Sequence, residues 1–141
     1  MTNYDKDFYG WTQEQAALLR AGRLTDLDIE NLIEEIETMG RSEKRELESR
    51  LTVLLPHLLK WRYQEVWRGR SWELTIHEQR LRFAETLDDN PGLKPNLDEV
   101  LNKAYQYAIL QAARETKISK NLFPVSCPWT LEQITDTVFF S

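Results

Sequence analysis

The sequence predicts an all-α protein: an antiparallel helical bundle of about five helices, with a kinked central helix and an extended C-terminal tail ending in a short helix. Three observations lead there. Apolar residues recur at helical spacing in segment after segment, alternating strand patterns are absent, and capping residues stand before those segments with Gly or Pro after them. A chain of 141 residues has the size of one ordinary domain, so residues 1–141 are read as a single helical domain.

The first helix is expected to open at Trp11-Thr12-Gln13-Glu14-Gln15, with Thr12 as cap and Gln15 returning the bond, and to stop at Gly22. A second helix should start near Asp26 or Asp28 and end at Gly40, with Ile29, Leu32, Ile33, Ile36 and Met39 forming a single helical face. The segment from Leu24 to Gly40 holds Asp26, Asp28, Glu30, Glu34, Glu35 and Glu37 and neither Lys nor Arg, so that helix is acidic.

Ser42 is expected to open the long central helix, with Leu47, Leu51, Leu54, Leu55 and Leu58 as its stripe and Gly69 as its stop. Pro56 lies inside it and removes a backbone donor at a cost of ~3 kcal/mol. Because Leu58 and Trp61 stay in phase with Leu51 and Leu54, the proline should kink the helix and not end it. Ser71 then caps a fourth helix facing inward through Trp72, Ile76, Phe83 and Leu87, and Asp88-Asp89-Asn90-Pro91-Gly92 is a turn. Asn96 with Glu99 resembles a capping box for a fifth helix that buries Leu97, Val100, Leu101, Ala104 and Ala108 and carries Tyr105 and Tyr107 on its flanks. From Ile118 to Trp129, with Pro124 and Pro128, the chain reads as extended. A last short helix over Leu131 to Thr135 follows a second Trp-Thr start, in which Trp129 can staple onto Ile134.

Composition excludes several function classes. With 29% charged and 41% hydrophobic residues, no apolar run approaches the ~20 residues of a membrane helix, so no membrane role is expected. The N-terminus lacks the pattern of a signal peptide, and Cys127 is the lone cysteine, which fits a reducing, cytoplasmic setting. A net charge of −5 makes nucleic acid an unfavoured partner for the whole surface.

The same stretches carry a family resemblance. Asp7-Phe8-Tyr9-Gly10-Trp11, Asp28-Ile29-Glu30-Asn31-Leu32-Ile33-Glu34-Glu35-Ile36-Glu37, His57-Leu58-Leu59-Lys60-Trp61, Ser71-Trp72, Glu78-Gln79-Arg80 and Cys127-Pro128-Trp129 together resemble the mostly cyanobacterial family of domains of unknown function numbered twenty-nine. The resemblance spans nearly the whole chain and implies an all-helical, prokaryotic, cytoplasmic protein. It implies no activity and brings no catalytic residues.

Two constellations are candidate sites. Lys60, Arg62, Arg68, Arg70, Ser71 and Arg80 gather basic side chains among tryptophans at the junction of the third and fourth helices, where a helix start favours an anion. The competing reading is internal charge pairing with the acidic second helix, the tryptophans supplying core and cation–π contacts. Glu30, Glu34 and Glu37 line up at helical spacing and His57 interrupts an apolar run, a carboxylate–histidine set of the kind metal bundles use. The paired Glu-x-x-His signature is missing, and Glu73 with His77 is a single i, i+4 pair, so no metal or other cofactor is expected. Cys127 reads as a small buried hydrophobe and no catalytic residue is assigned. The leading expectation is a small helical protein that acts by binding another protein, with a homodimer as the subsidiary form because tryptophan and leucine in the Leu59 to Trp72 region would want cover. The alternatives are a metal or enzymatic bundle on the carboxylate–histidine set, or an anion and nucleic-acid module on the basic junction.

Overall fold

A computed structural model describes residues 2–140; Met1 and Ser141, the two ends of the expected domain, lie outside the described residues. Among the described residues the chain is all-helical, with no strand. Its five α-helices are α1 (Phe8–Arg20), α2 (Ile29–Tyr63), α3 (Arg70–Asp89), α4 (Leu97–Thr116) and α5 (Leu131–Thr135), joined by short 3₁₀ turns. Contacts divide it into two compact units, one ending at Arg41 and one beginning at Ser42, and each is described by itself.

In the first unit, α1 starts earlier than Thr12. Asp7 is its N-cap, the carboxylate accepting from the Gly10 amide at 2.9 Å, while the Thr12 hydroxyl donates to the Tyr9 carbonyl. Gln15 returns no capping bond, because its Oε1 accepts from the Asp28 amide at 2.8 Å. Asp28 in turn accepts from Trp11 Nε1 and Asn31 Nδ2, so the start of α2 is tied to α1 by a buried tryptophan and a buried glutamine. Trp11 packs edge-on against Tyr4 and stacks on Phe8. The stop at Gly22 is as expected: its φ is +70°, and the following amide, Arg23, reaches back to the Leu18 carbonyl.

Gly40 does not end a helix and Ser42 does not start one. The second and third expected helices are the single 35-residue α2. One glycine in a helix interior costs only ~1 kcal/mol relative to alanine, too little to break a helix that carries a packed stripe further on.

The second unit holds the core. Leu47, Leu51, Leu54, Leu55, Leu58 and Leu59 of α2 cluster with Ile76 and Phe83 of α3 and with Val100, Leu101, Ala104 and Ala108 of α4. The helix runs through Pro56 without ending, the outcome expected from the phase of the leucines. Each of the flanking Leu54, Leu55, Leu58 and Leu59 is fully buried, and at ~1.5–3 kcal/mol each their burial outweighs the proline's cost. It ends at Tyr63 and not at Gly69. Gly69 is instead the N-cap of α3, without a side-chain bond, so Ser71 lies inside the helix.

Helix–helix register follows from three ion pairs. Lys44 meets Glu99, Glu48 meets Lys103 and Lys60 meets Glu115, each pair fifty-five residues apart. A constant offset means that α4 runs parallel to this part of α2. Asn90, just after α3, donates to Glu43, so α3 returns between them, antiparallel to both. The Asn96–Glu99 box is not formed, since Asn96 makes no capping bond and the Glu99 carboxylate goes to Lys44. Tyr105 is no flank residue either: it is buried and its hydroxyl donates to the Pro124 carbonyl at 2.6 Å, whereas Tyr107 is exposed. At the tail, Thr130 and Gln133 form the full capping box of α5, and Trp129 and Ile134 are buried in the same core cluster.

Candidate binding surfaces

The basic side chains of the aromatic junction are held in different places by different partners. Lys60 is buried, with Nζ 2.5 Å from Glu115 Oε2 and 5.2 Å from the centre of the Trp72 ring. Burial alone would raise the Glu115 carboxyl, but hydrogen bonds from Lys60 and Gln111 outweigh it and hold the group below its usual range. Arg68 folds back over Trp61 and donates Nε–H to the Trp61 carbonyl at 2.6 Å, satisfying a free carbonyl at the end of α2. Arg62 lies over the Tyr63 ring. Arg80 is buried elsewhere, in the middle of α3: its guanidinium donates to the Ile134 carbonyl at 2.6 Å and to the Phe139 carbonyl and stacks on Phe140. Arg70 and Ser71 are exposed in the first turn of α3. The acids that Lys60 and Arg68 engage are Glu115 and Glu65. Of the six basic-junction candidates, Arg62, Arg70 and Ser71 have no polar partner among the described residues.

The region expected to want cover is largely covered from within. Leu59 is fully buried, and Trp61 packs on Phe140 with centroids 4.8 Å apart. Val66 and Trp67, on the 3₁₀ turn after α2, stay exposed.

The carboxylate–histidine candidates make other contacts. Glu30, Glu34 and Glu37 are exposed on the first turns of α2, the last two within 4 Å of Arg41. His57 is half-buried and its Nδ1 contacts the Val53 carbonyl at 2.8 Å, while burial pushes its pKa down. Among the described residues, no three His, Cys, Asp or Glu are grouped to hold a metal ion. His57 instead lines an open groove of about 520 Å³ with Val53, Pro56, Tyr107, Leu110 and Gln111. Cys127 is partly buried, its thiol donating to the Trp129 carbonyl, and burial pushes the thiol up, away from nucleophile chemistry.

What sequence reasoning missed is on α2 before Gly40. Ile29, Ile33, Ile36 and Met39, read from the sequence as one helical face but not as a binding surface, are 52%, 51%, 61% and 61% exposed. Together with the partly buried Leu32 they form an uncovered apolar stripe. The available signal was the composition of the segment, whose acids bear no Lys or Arg between Leu24 and Gly40.

No helix among the described residues is long and apolar enough to cross a membrane. No curated protein and no solved structure matches the chain. A family model does, over residues 3–140, and with it the chain belongs to the domain of unknown function family DUF29.

Proposed function

We propose that this chain is a cytoplasmic prokaryotic protein, one domain in function, that acts by binding another protein. The observation that carries the reading is the apolar stripe of Ile29, Ile33, Ile36 and Met39, each more than half exposed. Side chains of this size at helical spacing cost water contact unless they are covered, and a contiguous exposed apolar face is a feature of interaction surfaces. Chemistry would ask for something else, a concave pocket with convergent polar groups. The grooves here are open, and the His57 groove shares its carboxylate, Glu115, with Lys60.

The test is a photo-crosslinking amino acid placed at Ile33 or Ile36 of the full chain in its native cells, with Glu85, exposed on α3, as the control position. A discrete protein adduct from the stripe, absent from the control and lost on adding Ile29→Gln and Met39→Gln, is the expected result. Equal labelling from all three positions, or none, removes the reading.

A further inference from the structure

We infer that the stripe on α2 docks a basic amphipathic helix of a different protein; this deepens the binding reading and rests on it. Ile29, Leu32, Ile36 and Met39 follow each other at spacings of three, four and three, the a/d pattern of a helix–helix seam over two heptads. At 1.5 Å per residue the seam is about 15 Å long, which suits three turns of a partner helix laid along it. Isoleucine, leucine and methionine on a convex helix offer no deep pocket, so the complementary shape is another helix with its own apolar stripe.

Charge selects which helix. Residues 1–41 carry nine Asp and Glu against four Lys and Arg, while residues 42–141 carry fourteen of each. The whole net charge of −5 therefore belongs to the unit that bears the stripe. At 100° per residue, Asp28 and Glu35 lie directly beside the seam on its Leu32 and Met39 side; on the other side Ile33 comes first, Glu37 and Glu30 follow beyond it, and Glu34 stands behind. The Asp28 and Glu35 edge is engaged by Trp11, Asn31 and Tyr4, which leaves Glu30 and Glu37 as the open acidic edge. Among the described residues only Arg41 approaches it with an opposite charge, at 3.6 Å from Glu34 and 3.9 Å from Glu37, the long reach of a solvent-exposed pair.

The same charges argue against other occupants. The segment from Leu24 to Gly40 has no base, so a two-fold pairing of the stripe with a second copy sets acid beside acid. An anionic membrane or a nucleic acid meets the same repulsion. A helix with Lys or Arg beside its apolar stripe gains from both features, seam burial and steering by the field.

The experiment uses the full chain and three labelled peptides, read by fluorescence anisotropy. One is a designed helix with a leucine seam and lysine flanks, the second has the same seam with glutamate flanks, and the third is a scramble of the first that keeps its charge. The lysine-flanked helix is expected to bind at least about tenfold tighter than either control and to weaken as salt rises. Ile33→Gln with Ile36→Gln should abolish the binding, and because glutamine is a better helix former than isoleucine at these exposed positions, the Tm should hold. Glu30→Gln and Glu37→Gln should each weaken it about two- to fivefold, and Arg41→Gln should tighten it by a similar factor. Equal binding of the glutamate-flanked helix, equal binding of the scramble, or indifference to the isoleucine changes overturns the inference, as does sedimentation showing a dimer that the same isoleucine changes dissolve. A crosslinked protein adduct in cells without lysine-helix binding leaves the binding reading standing and removes only the basic helix. Lysine-helix binding without an adduct removes both, since the stripe then takes a designed helix but meets no protein in the cell.

Discussion

Lys60 and Glu115 meet at 2.5 Å, with the ammonium also 5.2 Å from the Trp72 ring, so one buried cation joins α2, α3 and α4. Lys44–Glu99 and Glu48–Lys103 repeat the same fifty-five-residue offset nearer the other end of the parallel pair. The three differ in burial, and burial decides their weight. The Lys60 side chain is 9% exposed, whereas those of Lys44 and Lys103 are 34% and 61% exposed, where an ion pair contributes little.

Glu115→Gln is therefore expected to cost about 1 kcal/mol at neutral pH, a figure reduced for the partial exposure of Glu115. Its pH dependence has a definite sign. The folded carboxyl titrates below its ordinary value of 4.5, so the unfolded chain binds the proton first. The stabilisation is complete above 4.5 and is lost as the pH falls through the depressed folded value. Urea midpoints of parent and Glu115→Gln should differ at neutral pH and draw together in acid. A gap that stays constant would mean that packing, not ionisation, carries the contact.

Arg80 fixes the C-terminal segment to α3 through backbone carbonyls at Ile134 and Phe139 and through Phe140. Lysine has no planar fork and cannot reach two carbonyls while stacking on a ring. Arg80→Lys should cost about 2 kcal/mol and loosen the tail first. Hydrogen exchange checks this: amides in 134–140 should speed up by about tenfold or more while those in the leucine-rich part of α2 change less. Uniform acceleration along the chain would make Arg80 a general core residue and not a clamp.

Local chemistry was legible in the sequence wherever it stayed local. The box at Thr130 and Gln133 forms as read, and the leucines around Pro56 kept their phase and their helix. The similar start at Thr12 and Gln15 did not form its box, because Gln15 is used by the amide of Asp28, thirteen residues away. Asn96 and Glu99 fail for the same reason, the carboxylate being taken by Lys44 from another helix. The site followed this pattern. Charges and aromatics of the junction were visible, but their partners, Glu115, the Trp61 carbonyl and the tail carbonyls, depend on which helices come together. The stripe was legible as a face but not as a surface, because periodicity marks an apolar face without saying whether the same chain covers it.

Gly40 and Gly22 make a paired test of the helix that replaced two. Gly40 sits inside α2 with nothing within 4 Å of an added Cβ, whereas Gly22 also has open space but a φ of +70°. Space alone would predict the same outcome for both. Backbone conformation separates them, since alanine in a helix gains ~0.5–1 kcal/mol over glycine, while a left-handed residue with a Cβ loses about 1 kcal/mol or more. Gly40→Ala should raise the Tm by a few degrees and Gly22→Ala should lower it. A fall in both would show that α2 needs flexibility at Gly40 and that the continuous helix is not its resting form in solution.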